Sequence, residues 1–295
     1  MYANVPIAPP LVGEWARDPE TLPYVFRAYR DSGGAMHGAP CHEIELARRA
    51  FYATLTHIDH QIRVVIGTLR EQGVLNNTII AFTSDHGDML GERGLWFKMS
   101  FFEGSARVPL MIAAPSMQPG RVDRPVSTID VLPTLCDLAG LPMDEIAPWT
   151  DGESLADGGA SRNPVPIEYA AEGSITPLVA IRDGGWKYTA CKADPEQLFD
   201  LQTDPDERVN LAGDPAHAAT LQHLRAMARD RWDLDAYDSE VRQSQARRWI
   251  VYEALRNGAY YPWDYQPLMQ ASERYMRNHM DLNVLEENKR FPRGE

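Results

Sequence analysis

The residues best equipped for chemistry form one short run, Ser84-Asp85-His86-Gly87-Asp88, which follows directly on the apolar stretch Thr78-Ile79-Ile80-Ala81-Phe82-Thr83. Asp85 offers a hard carboxylate, His86 a neutral imidazole nitrogen, and Gly87 lets the backbone turn away sharply. That combination suits a divalent cation. A second use of the same residues stays open, in which Asp85 merely caps the next turn. Thirteen positions after Asp85, Lys98 lies on a glycine-containing segment, Met89 to Ser100. There it is either an ordinary solvated lysine or a point cation folded back to hold an anionic oxygen. A metal pair and a lysine together suit a sulfate or phosphate ester.

Weaker candidates surround this run. His57 and His60 stand three apart on a helical stretch, where exposed polar side chains beside a core Ile58 are the favoured reading over a metal pair. Arg107, in Ser105-Ala106-Arg107-Val108-Pro109, is expected to make a structural pairing that positions the Lys98 loop. Asp88 and Glu92 are expected as acceptors that orient His86 or Lys98. Cys41, Cys136 and Cys191 are odd in number and far apart, so neither a disulfide framework nor a CxxC zinc site is encoded, and a reducing cytoplasm fits.

The elements that must position these groups are legible from periodicity. Between Glu43 and Gln72 the apolar positions Ile44, Ala47, Phe51, Leu55, Ile58, Ile62, Val65 and Leu69 recur at intervals of three and four, which predicts a long amphipathic helix ended by Gly73. The run Thr78 to Thr83 reads as a strand buried on both faces, so that the Asp-His pair emerges at its carboxyl end, where ligands sit in parallel α/β sheets. A strand at Val108 to Ala113 and a helix over Thr128 to Leu138, stopped at Gly140, complete a first half of layered, parallel character. After Pro142 short runs at Val165–Tyr169, Leu178–Arg182 and Trp186–Thr189, with Asp183-Gly184-Gly185 as a hairpin signal, predict a small antiparallel sheet. Helical spacing returns over Pro215–Trp232 and Glu240–Arg256, ahead of an aromatic tail.

Composition removes several classes. The 295 residues suffice for one large or two ordinary domains, and 44% hydrophobic with 24% charged residues is a globular balance. With 29 Lys and Arg against 42 Asp and Glu, the net charge of −13 repels phosphodiester backbones and argues against a nucleic-acid partner. No basic leader with an apolar run opens the chain, and no apolar stretch approaches the roughly 20 residues needed to span a bilayer. A membrane partner is therefore not expected. The first forty residues, rich in Pro and Gly, read as a loop from inside a longer protein.

The run Ser84 to Pro109, SDHGDMLGERGLWFKMSFFEGSARVP, resembles the second metal-binding motif of the sulfatase branch of the alkaline phosphatase superfamily, most closely in choline sulfatases. Glu196-Gln197-Leu198-Phe199-Asp200-Leu201, with Asp204-Pro205-Asp206-Glu207 and Asn210-Leu211, is similar to a structural strand and turn of that family. The tail from Ser244 to Glu295, containing Trp263-Asp264-Tyr265 and Tyr275 to Leu282, resembles the choline-sulfatase C-terminal extension.

The resemblance implies an alkaline-phosphatase-like α/β sandwich lacking its N-terminal part, with residues 1–145 in the catalytic domain, 146–232 a small antiparallel subdomain and 233–295 the extension. It implies Asp85 and His86 as ligands of calcium, with manganese the second choice, and Lys98 as a catalytic, sulfate-contacting residue. It further implies a formylglycine nucleophile made from the Cys of a Cys-x-Pro-x-Arg motif. None of the three cysteines lies in such a motif, so the chain is expected to be a C-terminal fragment, inactive alone. For the quaternary ammonium of choline, Asp281 is the first-choice partner and Trp263 a cation–π face worth up to roughly 2 kcal/mol, with Asp264 and Tyr265 beside it. The expected activity is hydrolysis of choline sulfate. A phosphonate or phosphate ester hydrolase is the rival enzyme, and a noncatalytic fragment that oligomerises through its tail is the rival from another class.

Overall fold

A computed structural model describes residues 2–12, 41–115, 117–156, 164–171 and 174–256. The chain divides into two compact units, Met1–Leu234 and Asp235–Glu295. In the first unit, α1 (Cys41–Glu71) follows the apolar periodicity and ends as expected. Gly73 takes φ 73°, a left-handed conformation that costs glycine nothing, and donates its N–H to the Arg70 carbonyl at 3.0 Å. The apolar stripe is not a core face, however. Arg48 is the residue of α1 that is buried, while Leu55, Ile58 and Val65 are exposed among the described residues.

Strands β1 (Ile80–Thr83) and β2 (Leu110–Ala113) correct a second expectation. They pair antiparallel, with Ile80 opposite Ala113 and Thr83 opposite Leu110, as a two-stranded sheet. Neither strand is buried on both faces. Along each strand burial alternates, half-buried at Ile80 and Phe82 and at Leu110 and Ile112 and exposed between them, and because Ile80 pairs with Ala113 and Phe82 with Met111 the half-buried positions of the two strands fall on opposite faces of the pair. The register brings the Ser84–Asp88 segment and the residues leading into β2 to the same end of the pair.

Between the two strands the chain makes a folded loop and α2 (Glu103–Ala106). Met89, Leu95 and Phe102 from this stretch pack with Phe199 of the larger sheet, and Phe101 packs with Leu178 and Ala180. Burying such side chains contributes about 1.5–3 kcal/mol each, so the loop is anchored by its apolar residues at both ends. Next, α3 (Val131–Leu138) is entered through a capping box in which the Ser127 and Asp130 side chains each accept from the other's end of the turn. Gly140 at φ 69° closes it, and a short α4 (Met143–Ile146) follows.

The second sheet holds β3 (Val165–Tyr169), β4 (Leu178–Asp183), β5 (Trp186–Cys191) and β6 (Gln197–Asp200) in sequential antiparallel order. Asp183 pairs with Trp186 across the two-residue turn Gly184-Gly185, and Gly184 adopts φ 50°, so the expected hairpin is present. Helix α5 (Ala218–Arg231) buries Leu221, Leu224 and Ala228. In the second unit, α6 (Leu234–Arg256) begins six residues ahead of the expected Glu240 and exposes Trp249, Ile250, Val251, Tyr252 and Leu255. No helix among the described residues is long and apolar enough to cross a membrane.

Candidate functional site

At the end of β1 the chain folds tightly upon itself. Asp85 Oδ1 accepts the His86 N–H at 2.9 Å and the Ser84 hydroxyl at 3.3 Å, and the same hydroxyl reaches the His86 carbonyl at 2.8 Å. The His86 N–H is the main influence that lowers the Asp85 carboxyl below its ordinary range. The imidazole Nδ1 lies 2.7 Å from the Gly87 carbonyl, which can only accept, so Nδ1 carries the proton and a neutral ring keeps its lone pair on Nε2. That Nε2 stands 3.4 Å from Asp85 Oδ2, with the Asp85 side chain 82% exposed.

A divalent ion placed between Asp85 Oδ2 and the Nε2 lone pair of a neutral His86 would be held by both. Ligands at right angles around a calcium ion, each about 2.4 Å away, lie about 3.4 Å apart, so the pair fits one edge of a coordination shell. It supplies one edge and no more. Among the described residues no group of three or more His, Cys, Asp or Glu is placed to hold a metal ion.

Gly87 is the only residue type this point accommodates. Its N–H donates to the Ser105 carbonyl at 2.7 Å, and a Cβ would fall 2.1 Å from the Gly104 carbonyl oxygen. The Ser105 hydroxyl in turn donates to the Lys98 carbonyl. One residue of α2 therefore holds both the Asp-His turn and the backbone of Lys98. The ammonium of half-buried Lys98 makes no hydrogen bond or ion pair among the described residues, which leaves it available.

The intervening loop is held in an unusual conformation. Leu90, Arg93 and Phe97 have φ of 50°, 58° and 65°, and the one other described non-glycine residue with positive φ is Glu207 at 55°. Each such residue costs about 1–2 kcal/mol and persists only where neighbours dictate it. They do so here. Met89 N–H bonds Phe97 O and Gly91 N–H bonds Leu95 O, both at 2.8 Å, and Asp88 Oδ1 accepts Leu90 N–H at 2.8 Å. Arg48 donates to Leu90 O at 2.7 Å and to Glu92 Oε1 at 2.9 Å, and Glu92 Oε2 accepts Leu11 N–H at 2.6 Å.

Sequence reasoning missed the charged cluster beneath the loop. The guanidinium of Arg93 lies 4.1 Å over the Phe102 ring and donates to the carbonyls of Asp206, at 2.6 Å, and Glu207. Lys187, 1% exposed, donates to Phe101 O at 2.7 Å and Glu103 Oε1 at 2.8 Å. Its Nζ also lies 2.6 Å from Glu207 Oε1, a charge contact outside hydrogen-bond alignment, while Glu207 Oε2 accepts the Glu103 N–H at 2.7 Å. Burial raises the Glu207 carboxyl above its ordinary range against the pull of Lys187. The signal for Glu207 was its place in the Asp204-Pro205-Asp206-Glu207 motif; Lys187, on a strand between Trp186 and Tyr188, carried none.

Several expected roles are corrected. Asp88 and Glu92 bond the loop backbone, Arg48 and Leu11 and do not orient His86 or Lys98. Exposed Arg107 makes no pairing among the described residues, so the loop is positioned by Ser105 and the buried cluster instead. His57 and His60 are exposed helix polars as expected, whereas Ile58 beside them is 43% exposed and not a core residue; the three cysteines are free. Trp263, Asp264, Tyr265 and Asp281 lie outside the described residues.

Three family profiles match the chain: sulfatase over residues 19–141, the C-terminal part of N-sulphoglucosamine sulphohydrolase over 91–231, and the C terminal of the choline sulfatase enzyme over 239–291. A choline-sulfatase of Rhizobium meliloti is 59% identical over 258 residues, which is 85% of this chain and 50% of that protein. In structure the chain is similar to a phosphonate monoester hydrolase from Silicibacter pomeroyi, with TM-score 0.66 and 28% identity over 78% of this chain and 51% of that one. It is also similar to a 2-O GAG sulfatase, with TM-score 0.59 and 27% identity over 82% and 55%. The alkaline-phosphatase-like α/β fold is thereby shown, and the chain spans about half the length of the curated relatives it matches.

Proposed function

The chain belongs to the sulfatase family, and from that premise we propose that it serves the hydrolysis of choline sulfate to choline and sulfate, in the cytoplasm. In this reading residues 1–145 are catalytic α/β, 146–232 the small sheet subdomain, and 233–295 an extension that supplies Asp281 and Trp263 to the ammonium group and joins subunits. The observation that carries the reading is the Asp85 Oδ2 to Nε2 edge of 3.4 Å, with the other ring nitrogen turned to the Gly87 carbonyl.

Asp85 and His86 would hold a divalent cation, calcium before manganese, which when bound supplies Lewis-acid polarisation of an ester oxygen. Asp85 contributes negative charge, and the Gly87 carbonyl fixes the tautomer that presents Nε2. Lys98 binds an anionic oxygen of the ester and stabilises the charge that develops there. No cysteine here carries the Cys-x-Pro-x-Arg pattern, so these residues do not furnish a formylglycine.

The likeness to a phosphonate monoester hydrolase supports a second substrate class, since a cation and a lysine serve phosphorus as well as sulfur. The choline-sulfatase match over 239–291 favours sulfate. Calorimetric titration of the full chain with Ca²⁺ and Mn²⁺ tests the site: binding by the parent and its loss in Asp85→Asn and His86→Ala are expected. Equal binding in all three sinks the metal assignment. In the longer enzyme, hydrolysis of phenyl phosphonate in preference to choline sulfate would overturn the substrate.

A further inference from the structure

The backbone strain of the described chain is confined to two places that touch. Leu90, Arg93 and Phe97 lie in the loop between the Asp-His pair and Lys98, and Glu207 is the residue whose carbonyl receives Arg93. Glu207 touches the chain on both sides of Lys98, through that carbonyl on Arg93 and through Oε2 on the Glu103 N–H of α2, while its Oε1 lies beside Lys187 of β5. Lys187 joins the same segment at the Phe101 carbonyl and the Glu103 carboxylate. Arg93 and Lys187 face Glu103 and Glu207 within a wider set of charges, since Asp204, Asp206 and Glu92 also act on Arg93 and Arg182 acts on both glutamates, and the paired groups tie this segment to the second sheet.

A segment clamped at Arg93, Phe101 and Glu103 leaves Lys98 little freedom between its anchors. Ser105, one turn beyond, fixes the Lys98 carbonyl itself. The strained backbone is held over the apolar cluster of Met89, Leu95, Phe102 and Phe199, and strain that neighbours maintain in this way is the means by which a site is preorganised.

We infer that Glu207, with Lys187 and Arg93, is a positioning residue that fixes Lys98 for contact with the anionic oxygens of the ester. This rests on the proposed role of Lys98, and extends it to residues of the second sheet and the turn after β6 that touch neither metal nor ester. Removing the clamp leaves the lysine present but badly placed.

The test uses the full chain, inorganic sulfate as the probe, and calcium in the buffer. The sequence holds four lysines, Lys98, Lys187, Lys192 and Lys289, so selective 13C labelling resolves each, with Lys98→Ala as the assignment control. Hydrogen exchange at the Met89 and Gly91 amides reports the loop independently of sulfate. The variant is Lys187→Met with Glu207→Leu, which removes one charge of each sign and keeps volume, its fold checked by circular dichroism; Glu207→Gln, which keeps Lys187 on Glu103 and Phe101, is the milder companion.

The expected result is a Lys98 signal that moves with sulfate in the parent chain and an affinity about 10–100-fold weaker in the double variant, the loss typical of an outer supporting group. Faster Met89 and Gly91 exchange, an unmoved Lys192 signal and an intermediate Glu207→Gln complete the expectation. Unchanged sulfate affinity and unchanged exchange in a folded double variant overturn the positioning role. A Lys98 signal that ignores sulfate in the parent overturns the reading of Lys98 itself; the clamp is then judged on exchange alone, where slow Met89 and Gly91 amides in the double variant refute it.

Discussion

Substituting Gly87 by alanine tests the tie between the Asp-His turn and α2 more directly than removing any ligand. The added methyl would stand 2.1 Å from the Gly104 carbonyl oxygen and 3.2 Å from that of Ser105, and both obstacles are backbone that cannot swing aside. The turn must move. The Gly87 N–H bond to Ser105 O is then lost, at about 1 kcal/mol, and the overpacking adds about 1–3 kcal/mol, for a destabilisation of about 2–4 kcal/mol. Gly67 provides a control of opposite sign. It lies inside α1 with nothing within 4 Å of its added Cβ, so Gly67→Ala is expected to stabilise by roughly 0.5–1 kcal/mol. Urea unfolding of both variants, followed by circular dichroism, reads the two effects. A Gly87→Ala chain within about 0.5 kcal/mol of the parent would refute the close approach and with it the hydrogen-bonded link from Asp85 to Lys98.

Other outcomes follow from the same contacts. Lys187→Met leaves Glu103 and Glu207 together without their shared cation and is expected to cost about 3–5 kcal/mol in chemical denaturation, more than the compensated Lys187→Met, Glu207→Leu pair. Glu196 accepts from Arg225, chiefly, and from the Tyr188 hydroxyl, which lower its carboxyl below the ordinary range. Its stabilisation is therefore present above its unfolded value and lost as pH falls through the folded one, so Glu196→Gln should lower thermal stability at neutral pH and flatten the acid limb, the two chains converging at low pH. Incubated with choline sulfate and either calcium or manganese, the chain by itself is expected to release no sulfate, because no cysteine here is in the formylglycine pattern; turnover detected by barium precipitation would contradict that. In the longer enzyme, Lys98→Ala is expected to cost about 2.7–4 kcal/mol of transition-state stabilisation, read as a fall in kcat.

Local signals in the sequence reached further than distant ones. The period of α1, its stop at Gly73, the hairpin at Gly184-Gly185 and the helix stop at Gly140 are decided by neighbours in the chain, and each is found where its residues indicate. Burial is decided by what else is present. Ile58 and Val65 carry the pattern of a core face yet stand exposed, and the apolar run at β1 reads as doubly buried although one side meets solvent. At the site, Asp85, His86 and Lys98 were recognisable because their chemistry is in their side chains. Gly87 was recognised as a turn, but its contact with Gly104 requires the fold. Lys187 was invisible, since a lone lysine in a strand ordinarily points to water and only Glu103, Glu207 and the Phe101 carbonyl, brought from elsewhere, make it interior.

The neutral quartet of Arg93, Glu103, Lys187 and Glu207 bears on how such a chain can drift. A single charge reversal at Arg93, Lys187 or Glu207 leaves an uncompensated ion with little access to solvent, and one at Glu103 sets it against its partner Lys187, so one-step paths through sequence space are narrowed there. Divergent relatives should change these positions in concert, swapping acid for base across the pairs or turning wholly to hydrocarbon, and the coupled pattern would appear even where the Asp-His dipeptide itself never varies.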